Sequence, residues 1–395
     1  MMARKILYIS MNYPDSKATD AGSRCFSYYF NILVNDKSNE VKLISLTPAD
    51  NRSYDTNNAF DYYPVRNSDV LLKRTIGKLL SIRSKIDPGY RYGNVLSLEK
   101  YRIIEHHLKK LCETGYRPDV VILEWTYMLL FIDTVKKYFP KARYIASEQD
   151  VSFQAMQRIY QAKKNRFNLT RYQSMKQNEL NCLNKCDLVF VYCDKDRRLL
   201  KENGISNVVV LSPFYERRDN LFNGNRRNIL FYGAMYRKEN YTAAMWFIKE
   251  VMPLLKDYDV RFIVAGNRPP KKLSDHNNDR IVVSGFVEDI DKLFANAMCF
   301  VAPLKFGAGI KIKILEAMSA GIPVLTNEVG IEGIEGVNYF HCEKANEYAD
   351  VIIAIINDDK DFQKQSEKTR ETVHMIFDYA RSGEDYKKHI YSLTS

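Results

Sequence analysis

The sequence predicts an α/β protein made of two doubly wound halves, and three observations predict it. The chain has 395 residues, more than one domain of ordinary size holds. Apolar runs of strand length alternate with longer amphipathic patterns along it. The alternation is interrupted once, by the polar stretch SPFYERRDNLFNGNRR at 212–227, and then restarts.

In the first half, strands are expected at Lys5–Met11, Val41–Leu46, Val120–Glu124, Arg143–Ser147, Leu188–Tyr192 and Val208–Leu211. Each is almost wholly apolar, as a strand buried on both faces of a parallel sheet must be. Helical patterns such as Ser23–Val34 and Leu98–Cys112 lie between them. In the second half, strands fit Ile229–Tyr232, Val260–Ala265, Arg280–Val283, Phe300–Pro303 and Pro323–Leu325. Helices fit Tyr241–Leu255, Asp289–Ala297, Ile310–Ser319 and Ala345–Asn357. A last helix, about 376–395, is long enough to cross back to the first half. The expected domains are therefore 1–212 together with that helix, a linker at 213–227, and 228–375.

Composition narrows the class. With 46% hydrophobic residues there is apolar material for two cores, and no run of eighteen apolar residues exists to span a bilayer. The basic head at Arg4-Lys5 precedes an apolar stretch that stops by Asn12 and Pro14. That is too short for a secretory signal and reads as a buried first strand, which implies a cytoplasmic location. Seven scattered cysteines do not suggest a disulfide framework. Cys182, Cys186 and Cys193 lack metal-ligand spacing and a nearby histidine, and read as free thiols. No histidine sits in a metal or triad pattern, so no metal or other cofactor is expected to be required.

The net charge is +11 and the pI about 9.1, which favours phosphate-bearing partners. Charge concentrates in two places. Lys73–Arg91 holds six cations and one acid, and Val151–Asn178 holds six cations and no acid. Within the first, 70–85 alternates Leu72, Ile76, Leu79 and Leu80 with cations, an amphipathic basic pattern. It fits either contact with an anionic membrane through 70–91 or packing on its own domain. The second reads as a solvated or substrate-facing helix. Aromatic-rich RNA motifs and recognition-helix signatures are missing, so nucleic acid is not an expected partner.

The chemistry concentrates in FVAPLKFGAGIKIKILEAMSAGIPVLTNEVGIEGI at 300–334. A buried strand runs into a loop containing Gly307 and Gly309, and a helix is expected to start near Ile310 and stop where Gly321 can take a left-handed cap before Pro323. A glycine loop entering a helix N-terminus is an anion site, because free N–H groups and the helix dipole point outward. Lys311 and Lys313 add charge there. Glu316, seven residues past Gly309, would stand roughly 10 Å along a helix, about the separation of a diphosphate from its ribose, and a carboxylate can accept from both ribose hydroxyls. The same spacing also fits a surface ion pair between Lys313 and Glu316 and a plain glycine turn.

The string Gly307-x-Gly309-x-Lys311-x-Lys313-x-x-Glu316-Ala317-Met318-x-x-Gly321-x-Pro323-Val324 resembles the donor segment of glycosyltransferase family 4 (group 1) enzymes. Phe231-Tyr232-Gly233-Ala234-Met235 with Asn240, Ile263–Asn267, and Val283–Asp289 resemble other strands and turns of the same domain. Gly22-Ser23-Arg24 resembles the family's glycine loop beside the transferred sugar. The resemblance covers most of the chain and is strongest over 228–335. It implies a GT-B fold, two Rossmann-like domains facing a cleft with the C-terminal helix crossing back. It implies a glycosyltransferase, retaining and metal-independent, using a nucleoside diphosphate sugar with UDP or GDP as carrier. Donor contacts would come from Gly22, Ser23, Gly233, Arg237, Lys238, Phe286, Gly307, Gly309, Ile310, Lys311, Lys313 and Glu316. The chain departs from the pattern at Ala308, where many members carry a sugar-side glutamate. It departs again after Gly233, where Arg237 or Lys238 would have to supply the family's phosphate cations.

Glu148 and Asp150 follow the strand at 143–147, where polar side chains face the cleft of such folds. With Arg24 they are the candidates for sugar-side chemistry, while Asp150 also fits a helix cap. The implied acceptor is a glycan or lipid-linked glycan of bacterial surface polysaccharide synthesis, which is compatible with peripheral attachment to the inner face of the membrane. The alternatives are a nucleotide-sugar 2-epimerase on the same fold and a non-catalytic basic binding protein.

Overall fold

The computed structural model describes residues 3–15, 20–46, 61–64, 98–219, 227–307, 309–357 and 359–394. The chain divides into two units. Unit 1 comprises Met1–Ala18, Gly22–Ser212 and Ala380–Ser395, and unit 2 comprises Thr19–Ala21 and Pro213–Tyr379.

Unit 1 is a seven-stranded sheet of β1 (Arg4–Ser10), β2 (Asn39–Ser45), β3 (Asp61–Pro64), β4 (Val120–Glu124), β5 (Arg143–Glu148), β6 (Leu188–Val191) and β7 (Val208–Val210) in the order β3-β2-β1-β4-β5-β6-β7. Every pairing is parallel. The helices are α1 (Ala21–Val34), α2 (Leu98–Glu113), α3 (Ile132–Tyr138), α4 (Ser152–Ala162), α5 (Arg166–Leu183) and α6 (Asp194–Glu202). Strand periodicity decides which residues meet which layer. Tyr8 of β1 packs its ring on Phe26 and Phe30 of α1, whereas Leu7 and Ile9 join Ile104, Leu108 and Ile132 in a core on the opposite face. A sheet covered on both faces explains why the strands read as unbroken apolar runs.

Unit 2 repeats the plan with β8 (Asn228–Tyr232), β9 (Arg261–Ala265), β10 (Ile281–Gly285), β11 (Ala297–Ala302), β12 (Val324–Thr326) and β13 (Phe340–His341), all parallel in the order β10-β9-β8-β11-β12-β13. Its helices are α7 (Lys238–Trp246), α8 (Lys271–Ser274), α9 (Ile290–Ala295), α10 (Ile312–Ser319), α11 (Glu328–Ile331), α12 (Ala345–Asn357) and α13 (Asp359–Ile376). After Trp246, α7 runs on through a π turn and a 3-10 turn to Leu255, where Pro253 has no N–H to extend an α-helix. The described part of the stretch read as a linker packs on this unit. Tyr215 and Arg218 are buried, the Arg218 N–H donates to Ser319 Oγ at 3.2 Å, and its guanidinium pairs with Asp291 and Glu216.

The last helix expected, about 376–395, is a single element, set off from the helix before it. α13 stops at Ile376, and α14 (Tyr379–Ser392) begins after Phe377-Asp378. From Ala380 onward α14 belongs to unit 1. The Tyr386 and Tyr8 hydroxyls are 2.6 Å apart, Ser382 Oγ lies 2.8 Å from the Tyr29 hydroxyl, and the Arg4 guanidinium lies over the Tyr391 ring at 3.7 Å. Gly383 permits the contact, because a Cβ there would lie 2.6 Å from Ile32 Cδ1 of α1. Among the described residues no helix is long and apolar enough to cross a membrane, and all seven cysteines are free. The amphipathic stretch 70–91 lies outside the described residues.

Candidate functional site

In unit 2 the chain winds outward from β8 through β9 to β10, then crosses to β11 on the other side of β8. The C-terminal ends of β8 and β11 therefore form a topological switch point, where open α/β sheets bind ligands. Two segments converge there, Tyr232–Asn240 and Pro303–Glu316.

Glu316 is 2% exposed on α10. Its carboxylate accepts a hydrogen bond from the Tyr232 hydroxyl at the end of β8, and the Tyr232 ring is held edge-on by Phe294 and Phe300. Lys313, one turn earlier, does not pair with Glu316. Its Nζ donates to Asn240 Oδ1 at 2.5 Å and lies 4.7 Å from the Phe231 ring centroid. Asn240 is fixed in turn by donating from Nδ2 to the Ala234 carbonyl at 3.0 Å. Lys313 as a residue keeps some surface, but its ammonium is enclosed. Burial, with Lys311 and Arg237 nearby, pushes it down to about 7, against the opposing pull of Glu239. An enclosed cation resting on a neutral carboxamide favours an anionic partner.

Glycines make room for this arrangement. A Cβ on Gly233 would lie 3.0 Å from Asn240 Nδ2 and 3.3 Å from Lys313 Nζ. A Cβ on Gly266 would lie 1.7 Å from the Gly233 carbonyl oxygen, so β9 can end against the β8 turn only with glycine at that position. Gly309 has φ 68°, and its carbonyl accepts from Lys311 Nζ at 2.6 Å. The same ammonium lies 3.6 Å from Glu332. Lys311 is thus anchored as an N-cap residue of α10, which starts at Ile312 rather than Ile310. Glu316 accordingly lies only about 6 Å along the helix from its first residue, the rest of the span being loop. The far end of α10 follows expectation. Gly321 has φ 76°, and the Gly321 and Ile322 N–H groups return to the Met318 and Ala317 carbonyls, a Schellman cap.

The remaining unit 2 candidates sit around this core. Gly307 is part of the loop, Ile310 is half-buried, and Ala308 lies outside the described residues. Arg237 and Lys238 are exposed where α7 begins, the Lys238 ammonium 5.7 Å from the Phe306 ring centroid. Phe286, just past β10, is 64% exposed. Nearby Arg268, with φ 48°, stacks over Tyr236 at 4.2 Å. Tyr232, Asn240 and Glu332 were not singled out as site residues. Only the packing reveals them, because their partners are distant in sequence.

In unit 1, Gly22, Ser23 and Arg24 form the first turn of α1 rather than a loop. Ser23 is buried and accepts from Asn12 Nδ2 at 3.0 Å; Arg24 is half-buried. Glu148 is 1% exposed, the last residue of β5. One of its oxygens accepts from Thr126 Oγ1 at 2.5 Å, while Oε1 is buried without a hydrogen-bond partner. Burial first, and the Glu179 charge second, hold this carboxyl well above the usual range. Glu179 is itself pushed up to about 8 by burial. It accepts from the Ser152 and Phe153 N–H groups at 2.8 and 2.9 Å, so α4 is capped by α5 and not by Asp150, which is exposed. Glu124 ends β4 on the opposite face, accepting from Ser147 and Gln149, and burial pushes it up to about 7. Neither Glu124 nor Glu179 was among the expected residues. The sequence signal for Glu124 was a carboxylate closing the apolar run VVILE.

Comparison with known proteins bears on the fold and on unit 2. Residues 226–358 match the family model described as "Glycosyl transferases group 1". A Klebsiella pneumoniae protein described as "Uncharacterized 44.6 kDa protein in cps region" is 26% identical over 213 residues, 50% of this chain and 51% of that protein. The match spans about half the length of that curated relative. Sucrose-phosphate synthase from Thermosynechococcus elongatus superposes with TM-score 0.71 at 13% identity, over 99% of each chain. Anabaena HepE, solved in complex with UDP and glucose, superposes with TM-score 0.65 at 13% identity, over 98% of this chain and 100% of that one. The architecture is that of the GT-B glycosyltransferases. Within it, unit 2 carries a group 1 glycosyl transferase domain.

Proposed function

We propose that the chain transfers a glycosyl group from a nucleoside diphosphate sugar, carried on UDP or GDP, to a hydroxyl of a glycan or lipid-linked glycan in bacterial surface polysaccharide synthesis. The observation that carries this reading is the pairing of a buried carboxylate, Glu316, with an anion cradle at one switch point. Glu316 accepts the ribose hydroxyls, with Tyr232 keeping its other side satisfied. The backbone around Gly309, Ile310 and Lys311, with Gly307 giving close approach, holds the diphosphate. Lys313 supplies the charge that offsets the departing diphosphate, and Gly233 keeps the backbone clear of it. Arg237 and Lys238 give further positive potential, and Phe286 flanks the base. In unit 1, Gly22, Ser23 and Arg24 border the transferred sugar, and Glu148 and Asp150 serve the sugar and acceptor. The anomeric configuration is retained and no metal takes part. The complex of Anabaena HepE with UDP and glucose supports UDP as the first carrier to try, and the relative's cps region supports the polysaccharide context. The location is cytoplasmic, at the inner membrane face.

Thermal shift against UDP, GDP, ADP, CMP and their sugars, for wild type and Glu316→Ala, tests the reading. A stabilisation by one nucleotide that the variant loses assigns the base and the ribose role. No shift with any of them at millimolar concentration overturns it.

A further inference from the structure

Two lines of contact that start at one residue, Arg218, end on Glu316. Arg218 is buried. Its guanidinium pairs with Asp291 of α9 and with Glu216, and lies over the Phe294 ring, 5.2 Å from the centroid. Asp291 and Phe294 stand one turn apart on α9, so one helix face receives both the charge and the plane of the cation. Phe294 meets the Tyr232 ring edge-on, the centroids 5.5 Å apart and the planes at 88°. The Tyr232 hydroxyl donates to Glu316 Oε2. The second line runs through the backbone. The Arg218 N–H donates to Ser319 Oγ at 3.2 Å, and Ser319 Oγ donates to the Glu316 carbonyl at 2.9 Å.

Stability alone does not account for Arg218. Desolvating a guanidinium is costly. Its two acidic partners are half-exposed, where an ion pair returns little. Its Nε is buried without a hydrogen-bond partner, a further cost. An apolar side chain of similar volume would fill the space without either cost. What a guanidinium adds is a flat, charged plane that stacks on an aromatic ring, which neither an alkyl chain nor an ammonium reproduces. Stacked there, it fixes the ring against which Tyr232 rests, and Tyr232 sets the direction of Glu316 Oε2. A carboxylate accepts hydrogen bonds along preferred directions. A Tyr232 free to tilt would leave Glu316 misaimed for a pair of ribose hydroxyls.

We propose that Arg218 is a positioning residue for nucleotide binding. Through Phe294 and Tyr232 it aims the Glu316 carboxylate at the ribose, so that its effect is felt only by ligands that carry ribose hydroxyls. This role deepens, and rests on, the ribose contact of Glu316 proposed above.

The test is isothermal titration of the full chain with UDP and with dideoxy-UDP, which lacks both ribose hydroxyls, and with the matching GDP pair. Wild type should prefer UDP or GDP over its dideoxy analogue, and Glu316→Ala should erase that preference. Arg218→Met should weaken the preferred nucleotide by about tenfold and its dideoxy analogue by less than about twofold. In a Glu316→Ala background, Arg218→Met should add no further loss. Asp291 and Glu216 both reach solvent, so the variant strands no buried carboxylate. Phe294→Leu, which keeps Arg218 and removes the ring, should give the same selective loss. Equal weakening of both ligands would mean support of the fold alone and overturn the assignment, as would unchanged binding of both. Absence of any preference for ribose hydroxyls in wild type would overturn the donor reading itself, and the role of Arg218 with it.

Discussion

Glu124→Gln should stabilise unit 1, and should do so more at high pH than at low. The Glu124 carboxyl rises from the ordinary 4.5 to about 7 because it is buried at the end of β4. A carboxyl whose folded value is raised favours the folded state while protonated, and that advantage is lost as pH climbs from about 4.5 through about 7. At about 1.4 kcal/mol per pH unit, ionised Glu124 costs unit 1 on the order of 3 kcal/mol, and about 2 kcal/mol of that appears between pH 5.5 and 8.5. Glutamine removes the titration and keeps the hydrogen bonds, because Ser147 Oγ and Gln149 Nε2 both donate to the same oxygen, Oε1, at 3.0 and 2.7 Å. The assay is direct, since the chain has two tryptophans, Trp125 beside Glu124 in unit 1 and Trp246 in unit 2. In a Trp246→Phe background, urea unfolding followed by Trp125 emission reads unit 1 alone. The variant's advantage over its parent should grow by about 2 kcal/mol from pH 5.5 to 8.5. An advantage independent of pH would refute the reasoning, because other carboxyls contribute equally to both proteins.

Four further outcomes follow from the same geometry. Burial pushes Lys313 down to about 7, so affinity for a fully ionised nucleoside diphosphate should fall as pH rises from 7 to 9; Lys313→Met should bind weakly and lose that slope in isothermal titration. Gly266→Ala forces a Cβ onto the Gly233 carbonyl and should cost unit 2 on the order of 3 kcal/mol or more in a Trp246-monitored urea melt. Tyr386→Phe strands the buried Tyr8 hydroxyl and should cost unit 1 about 1–3 kcal/mol, much of which the double variant with Tyr8→Phe should recover. Asp150→Ala should change stability by less than about 0.5 kcal/mol, whereas Glu179→Ala should cost about 1–2 kcal/mol as the α4 cap is lost, both read by urea unfolding.

The sequence announced most of this fold because parallel strands buried on both faces must be apolar throughout, and helices between them must be amphipathic. β4 and α12 even keep their expected bounds. Two edge strands escaped. β3 is DYYP, polar at its start and closed by proline, and β13 is only Phe340–His341; neither offers an apolar run to recognise. The anion loop, Lys311, Lys313 and Glu316 were visible because they lie within ten residues of one another. Their partners were not, because Tyr232 and Asn240 reach them from β8 and α7, 84 and 73 residues away. The helix cap that Asp150 also fitted is supplied by Glu179, 27 residues on from Ser152. A local rule cannot rank a nearby carboxylate against one delivered by another helix.

Unit 1 is encoded in separate stretches, and that sets an order on its birth. Residues up to Ser212, nearly all of them unit 1, are made first, then Pro213–Tyr379 of unit 2, and only then the stretch from Ala380 that carries Tyr386. Counted from the completion of Ser212 to that of Tyr386, at roughly 5–20 residues per second, the Tyr8, Tyr29 and Phe190 rings wait about nine to thirty-five seconds for the helix that packs on them. Unit 2 from Pro213 to Tyr379 is contiguous in the chain and does not wait for a later segment. The nascent chain therefore holds Tyr8 of β1, Tyr29 of α1 and Phe190 of β6 without their partner helix over the later part of its synthesis.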